Sequence, residues 1–324
     1  MRSVLVTGAD TPTGERLVRT LLGDSRVDRV IAVTQAKVER SPLHPSERLH
    51  LVSVDLASAR RTHELLFGAA RDHQIDVVVH LGHLCEPGDE GDRAHARTVE
   101  SVRSIIELSE RHPTIRRLVL RSDASVYQVQ RDLPVLIGED HPLNMVGTAP
   151  QYVRDRVEAD VTACVRMGLS PLQIVVLRMA EVLGPGTGSQ LFDYLGSPVC
   201  LRPAGYDPML NVLTQDDAVA ALQRAIHSEA QGVFNIPGAD TLPLSACIRS
   251  WGRLSVPVPG VWMTPLYRWR RIVTGHDFRY GMNRRRFHYS GVLDGTRARQ
   301  VLGYVAGHPV EWPNPVWARD QRYS

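Results

Sequence analysis

Near its start the chain reads SVLVTGADTPTGERLVRTLL: a β-branched run, a tight turn holding Gly8 and Gly14, and an amphipathic helix. Such a turn aims free backbone N–H groups and the positive end of a helix at one point, which is what a pyrophosphate requires. The chemistry implied is the holding of a dinucleotide. Thr11 stands midway between the glycines, where a bare backbone would let phosphate oxygens approach closely, so either affinity falls or the hydroxyl itself bonds the phosphate. The next apolar run, RVIAVTQAK, ends on Thr34, where a dinucleotide fold commonly carries a carboxylate for the adenosine ribose. Without that carboxylate a 2′-phosphate meets no repulsion, and Lys37 or Arg40 could pair with it. NAD and NADP are therefore both open.

The elements that must position this turn follow from periodicity. Short β-branched runs at Ser3 to Val6, Arg29 to Val33, Leu49 to Val54, Val77 to Leu81, Arg117 to Leu120 and Ile174 to Arg178 alternate with helical patterns. The helices are expected at Gly14 to Leu22, Arg60 to His73, Ala94 to Arg111 and Ala149 to Met167. The pattern predicts an α/β fold, a Rossmann-type doubly wound parallel sheet covered on both faces. In the last helix, Val153, Val157, Val161 and Cys164 share a stripe that is expected to pack on the sheet. Beyond Gly184 the rhythm loosens, with Pro-rich stretches broken by a helix near Thr214 to Ser228 and a strand at Gly232 to Ile236. Residues 1–180 are read as the dinucleotide domain and 181–324 as a smaller substrate-binding portion, some of whose segments return to the first.

With 324 residues and 43% hydrophobic content, the chain can bury a sizeable core. A net charge of +3, from 38 basic against 35 acidic side chains, does not call for a polyanionic partner. Cys85, Cys164, Cys200 and Cys247 are widely spaced and form no zinc motif, so no metal is expected. The N-terminus lacks a signal-peptide pattern, and no window approaches 18 uncharged apolar residues. A reduced, cytoplasmic protein is the expectation.

Further segments arrive in a telling order. VSVDLAS, with Asp55 and Leu56, precedes VVVHLGHL, with His80, Leu81 and Gly82; LRMAEVLGPGTG, TQDDAVAAL, GVFNIPGADTLPL and VLDGTRARQVLGY follow. From residue 2 to about residue 310 the chain resembles an extended short-chain dehydrogenase/reductase of the NAD-dependent epimerase/dehydratase family. The resemblance implies that Asp55 and Leu56 contact adenine and that His80, Leu81 and Gly82 lie beneath the cofactor. It also places Arg178 and Arg279 in substrate binding. Gly184 to Gly186 reads equally as a simple turn, and Asp216 with Asp217 as caps of the helix that follows.

In that family a Tyr and a Lys four residues apart work with a Ser or Thr from a strand end. The tyrosine exchanges a proton with a substrate hydroxyl while a hydride moves at the adjacent carbon, and the strand hydroxyl orients that oxygen. QYVRDRVEAD resembles the helix motif, with Tyr152 at the tyrosine and Arg156 at the lysine. Their i, i+4 spacing keeps both on one face. Arginine keeps the charge but cannot relay a proton as lysine does. RLVLRSDASVYQ resembles the strand-end motif and puts Asp123 where the orienting hydroxyl belongs.

Three readings follow. Asp123 is protonated, or serves as a new acid/base with Tyr152, and catalysis of redox, epimerisation or dehydration survives. Alternatively Asp123 and Arg156 form an ion pair in a non-catalytic relative that binds a nucleotide or a partner. In the third, Ser122 or Ser125 supplies the hydroxyl after a local shift, which strand alternation disfavours because a one-residue slip reverses the side chain.

From Trp262 to Tyr289, Arg268, Arg270, Arg271, Arg279, Arg284, Arg285 and Arg286 lie among Tyr267, Trp269, Phe278, Tyr280 and Phe287. In the resembling family this region serves the substrate pocket, and one or two arginines clamp the diphosphate of a nucleotide sugar. Other uses are contact with an anionic membrane surface, an acidic partner, or a solvated face with aromatic stems turned inward; nucleic acid ranks below these because no binding module surrounds the segment. The expected substrate is a small hydroxylated molecule such as a nucleotide sugar or a sterol-like alcohol. A homodimer through the Ala94 to Arg111 and Ala149 to Met167 helices is the expected assembly by analogy.

Overall fold

The computed structural model describes residues 1–35, 41–44, 46–82, 90–274 and 278–314. The chain opens with β1 (Arg2–Thr7), α1 (Pro12–Gly23), β2 (Val27–Thr34), β3 (Leu49–Ser53), α2 (Ala59–Leu65) and β4 (Val77–His80). It continues with α3 (Asp92–His95), α4 (Ser101–Glu110), β5 (Arg117–Asp123), β6 (Leu136–Ile137), α5 (Gln151–Arg166), β7 (Gln173–Met179) and β8 (Glu181–Val182). Then come α6 (Gln190–Leu195), β9 (Val199–Pro203), β10 (Met209–Leu213), α7 (Gln215–His227), β11 (Gly232–Ile236) and β12 (Asp240–Pro243). The last elements are α8 (Leu244–Ser250), β13 (Leu254–Val258), α9 (Gly260–Thr274), α10 (Tyr280–Asn283) and β14 (Val292–Leu293).

Seven strands form one parallel sheet in the order β3-β2-β1-β4-β5-β7-β11. The strands are almost continuously apolar because both faces are covered. Leu5, Ile31, Val78 and Leu118 meet Leu65 of α2 and Val102 and Ile105 of α4. On the opposite face Val4, Val6, Val30, Val79 and Val119 meet Leu17 and Leu21 of α1 and Leu222 of α7. The order reverses between β1 and β4, and at such a point the loops leave in opposite directions and open a crevice at the carboxyl ends of the strands. Gly8 follows β1 there, and Leu81 and Gly82 follow β4.

The buried face of α5 differs from the expected stripe. Val153 and Val157 are buried, but Val161 and Cys164 are only half-buried, while Ala159, Asp160 and Ala163 face inward. The helix packs through small side chains and a buried carboxylate that a count of apolar positions does not reveal. Thr214, whose hydroxyl accepts from the Asp217 N–H at 3.2 Å, caps α7; Asp216 and Asp217 sit in the first turn instead.

The part beyond Gly184 is more regular than its Pro content suggests. Its strands β12 and β10 continue a sheet with β8, just before Gly184, and β13 pairs in parallel with β9, around a core containing Tyr194, Tyr267, Phe278, Tyr280 and Phe287. Pro265 lies inside α9, where the helix loses one backbone hydrogen bond, and burial of Met263 and Tyr267 offsets that loss. The chain also returns to the main sheet: β11 pairs with β7, and α7 packs beside α1.

Candidate functional site

The turn after β1 is tightly specified. Gly8 has φ +69°, and a Cβ there would lie 2.8 Å from the Gly82 carbonyl oxygen; a Cβ on Gly14 would lie 2.0 Å from the Gly8 oxygen. Thr11 is the N-cap of α1: its hydroxyl accepts from the Gly14 N–H at 3.0 Å and donates to the Gly8 carbonyl at 2.8 Å. Pro12 follows at the start of the helix and has no N–H. Two of the amides that could meet a phosphate are therefore out of use, one through Thr11 and one through Pro12.

Across the crevice, the His80 Nδ1 lies 2.8 Å from the Thr7 hydroxyl, while its Nε2 has no partner among the described residues. Burial pushes the imidazole down to a pKa of about 4, so the ring is neutral at ordinary pH. Leu56, Thr34, Gly8 and Gly82 line the same crevice, joined by Gln35 and Arg97, which sequence reasoning did not single out. Leu81 is buried, and Asp55 turns its carboxylate to the Ala57 N–H at 3.2 Å. The Asp10 carboxylate accepts from the Gln35 N–H at 3.0 Å, beside the end of β2. Lys37 and Arg40 lie outside the described residues.

Tyr152 and Arg156 share one face of α5, with the guanidinium carbon 3.9 Å from the centre of the phenol ring. Arg156 Nη1 also reaches Asp123 Oδ2 at 2.7 Å. Burial opposes the charge on Asp123, but Arg156, the Ser125 N–H and Arg121 outweigh it and hold the carboxyl below the usual range. Asp123 is thus an ionised acceptor, not a protonated acid. Ser122 points to the opposite face of β5 and donates to Asp160, whereas Ser125 lines a cleft of about 280 Å³. Asp123 borders both that cleft and a smaller cavity shared with His80, Gly82 and Arg156.

Residues 4–195 match the NAD dependent epimerase/dehydratase family. This chain belongs to that family. It is 30% identical over 308 residues to uncharacterized proteins from Mycobacterium bovis and Mycobacterium tuberculosis, covering 93% of this chain and 79% of theirs. It is 29% identical over 208 residues to a 3-diazoavenalumate denitrifying reductase from a Streptomyces species, covering 60% of this chain and 66% of that protein. Its fold matches UDP-glucose 4-epimerase from Thermotoga maritima, solved with UDP-glucose, at a TM-score of 0.73 and 16% identity over 99% of this chain and 100% of that one. The dTDP-glucose 4,6-dehydratase from Bacillus anthracis, solved with NAD, matches at 0.70 and 16% identity over 99% and 97%.

Within the family frame, the two arginines read as substrate ligands take other places. Arg178 is 4% exposed and bidentate to the buried Asp160, at 2.6 and 3.1 Å, and does not line the cleft. Its remaining nitrogen donates to the Tyr127 hydroxyl and the Glu139 carbonyl. Arg279 precedes α10, half-buried, with its N–H on the Gln190 side-chain oxygen at 2.8 Å. The arginines that do line the cleft are Arg284, Arg285 and Arg286, the last paired with Glu181. Burial pushes Arg286 below its ordinary pKa, and its charge is felt at Asp123 and Tyr152. Glu181 and Arg286 are 105 positions apart, so no local spacing could have paired them.

Proposed function

We propose that the protein binds NAD and uses it to epimerise, dehydrate or oxidise a hydroxyl-bearing sugar nucleotide. The position of Asp123 carries this reading: it borders a small cavity shared with His80 and Gly82 on one side and the arginine-lined cleft on the other, paired with Arg156, which stacks on Tyr152. The crevice suits the cofactor, since no side chain fits at Gly8 or Gly14 and the His80 Nε2 is left to meet a polar group. When bound, a nicotinamide takes up and returns a hydride at the substrate carbon.

The chain's own groups do the rest. Asp123, held ionised, accepts the hydrogen bond of the substrate hydroxyl and orients it in place of the family's serine or threonine, while Tyr152 exchanges the proton. Arg156, stacked on the Tyr152 ring and paired with Asp123, balances the negative charge that forms on the phenol as it gives up its proton. Arg284 and Arg285, exposed at the cleft, suit the diphosphate of a nucleotide, as guanidinium forks match phosphate oxygens. The epimerase and dehydratase of like fold act on nucleotide sugars by name, which supports the substrate class. Asp10 beside the end of β2 would repel a 2′-phosphate, which favours NAD over NADP.

One observation favours a second reading, a dinucleotide-binding relative without turnover: the Asp123–Arg156 pair engages both altered positions with each other. Calorimetric titration with NAD and NADP, followed by chromatography of UDP- and dTDP-sugars incubated with the NAD-loaded protein, separates the two. NAD binding with conversion of at least one sugar nucleotide is expected. Failure to bind either dinucleotide ends both readings, and binding without conversion leaves the second.

Thr11 makes a separate test. Thr11→Gly frees the Gly14 amide for a phosphate, so NAD affinity is expected to rise roughly three- to tenfold. The melting temperature should fall only slightly, because Thr to Gly at an N-cap costs a few tenths of a kcal/mol. Weaker binding of the variant would show that the hydroxyl itself holds the phosphate.

A further inference from the structure

Charge is near balance over the whole chain, yet residues 241–293 hold nine arginines and a single acidic residue, Asp277. In this stretch α9 buries Met263 and Tyr267 against Tyr194, Phe278 and Phe287, as the inward-facing reading of the aromatics expects. Its two tryptophans do the opposite. Trp262 is 60% exposed and Trp269 64%, together with Val261 at 81%, Ile272 at 84% and Val273 at 61%. Successive turns bring these five side chains onto one stripe along the helix, opposite the buried one. Arg268 and Arg271, both exposed, lie on one side of that stripe, and no ion pair engages either among the described residues. The helix has no acidic residue.

We propose that α9 is a peripheral anchor that lies in the plane of an anionic lipid bilayer. Tryptophans and branched aliphatics enter the boundary between headgroups and acyl chains, where an indole keeps its apolar body in lipid and its N–H in the wet layer. Arg268 and Arg271 stay at the level of the lipid phosphates, each adding electrostatic attraction to a negative leaflet. A second copy of this chain is a poorer occupant, because it would bring the same arginines against themselves. The contact is peripheral, since no helix among the described residues is long and apolar enough to cross a membrane. Gly281 and Met282 of α10, the next helix along the chain, line the cleft, so docking holds the cleft near the bilayer surface.

Flotation of the full chain with vesicles tests this. Vesicles of phosphatidylcholine mixed with phosphatidylglycerol should carry the protein upward, vesicles of phosphatidylcholine alone should not, and added salt should weaken the binding. Trp262→Ala with Trp269→Ala is expected to lower partitioning on the order of tenfold or more. Arg268→Ala with Arg271→Ala should erase the preference for the anionic vesicles. All four positions are exposed, and unchanged melting curves would verify that the variants fold. Absence of flotation by the wild type, or undiminished binding by the tryptophan variant, overturns the proposal. So does a dimer in sedimentation that the tryptophan variant dissolves without any vesicle binding, which would assign the stripe to a second copy.

Discussion

Tyr152→Phe is expected to lower turnover of the sugar nucleotide roughly 10²- to 10⁴-fold, the usual worth of a positioned acid/base group. NAD affinity should stay within about twofold, because the phenol lies on α5 and does not line the crevice around Gly8. The expectation rests on the stacking of Arg156 over the ring while the same guanidinium grips Asp123. Asp123→Asn should cost a smaller factor, since an amide accepts a hydrogen bond less strongly and leaves Arg156 without its counter-charge. Asp123→Ser, which restores the family's hydroxyl, should recover part of the loss only if Tyr152 is present. Steady-state rates and calorimetry on the same preparations check this. Turnover of Tyr152→Phe equal to wild type would remove the phenol from the chemistry.

The second large effect concerns stability. Asp160 has a fully buried side chain that faces the Arg178 guanidinium, receives the Ser122 hydroxyl, and lies beside Cys164. Through Arg178 the network reaches Tyr127, whose hydroxyl donates to Asn235 on β11 at 2.6 Å, so α5, β5, β7 and β11 are tied together. Burial opposes the charge on Arg178, but its bonds to Asp160 raise its pKa overall. Removing one member leaves a charge stranded in the core, which typically costs about 3–5 kcal/mol. Asp160→Ala is therefore expected to lose that much in urea unfolding followed by circular dichroism. Asp160→Leu combined with Arg178→Met should recover most of it, because the desolvation of both ions disappears with the pair. A loss below about 1 kcal/mol in the single variant would mean that water reaches the network.

Much of this was legible in one dimension. Strands such as Val77–His80 and helices such as Gln215–His227 report themselves because a face buried by any neighbour must be apolar at a fixed period. The need for Gly14 is equally local, since a Cβ there would meet the Gly8 carbonyl six residues back, whereas Gly8 is also held by its positive φ and by the distant Gly82 carbonyl. The i, i+4 placing of Tyr152 and Arg156 is of the same kind.

Helix α9 marks the limit. Proline and arginine concealed it, and its orientation could not be read from composition, because Tyr267 and Trp269 differ only in which side of the helix meets the core. Arg178 shows the same limit at the site. An arginine within the family motif reads as a ligand, but the sheet carries it beneath α5 and against Asp160.

The amino-acid order by itself determined a parallel sheet, a tight glycine turn opening the first helix, and Asp123 and Arg156 standing where the resembled motifs carry a hydroxyl and a lysine, since each depends on spacings within one or two elements. Tertiary structure alone decided the partners: Asp123 with Arg156, Glu181 with Arg286, Asp160 with Arg178, and two tryptophans left facing solvent. Periodicity states that a face will be covered. Only the packing of distant elements states by what, and the charge state of Asp123 follows from that neighbour.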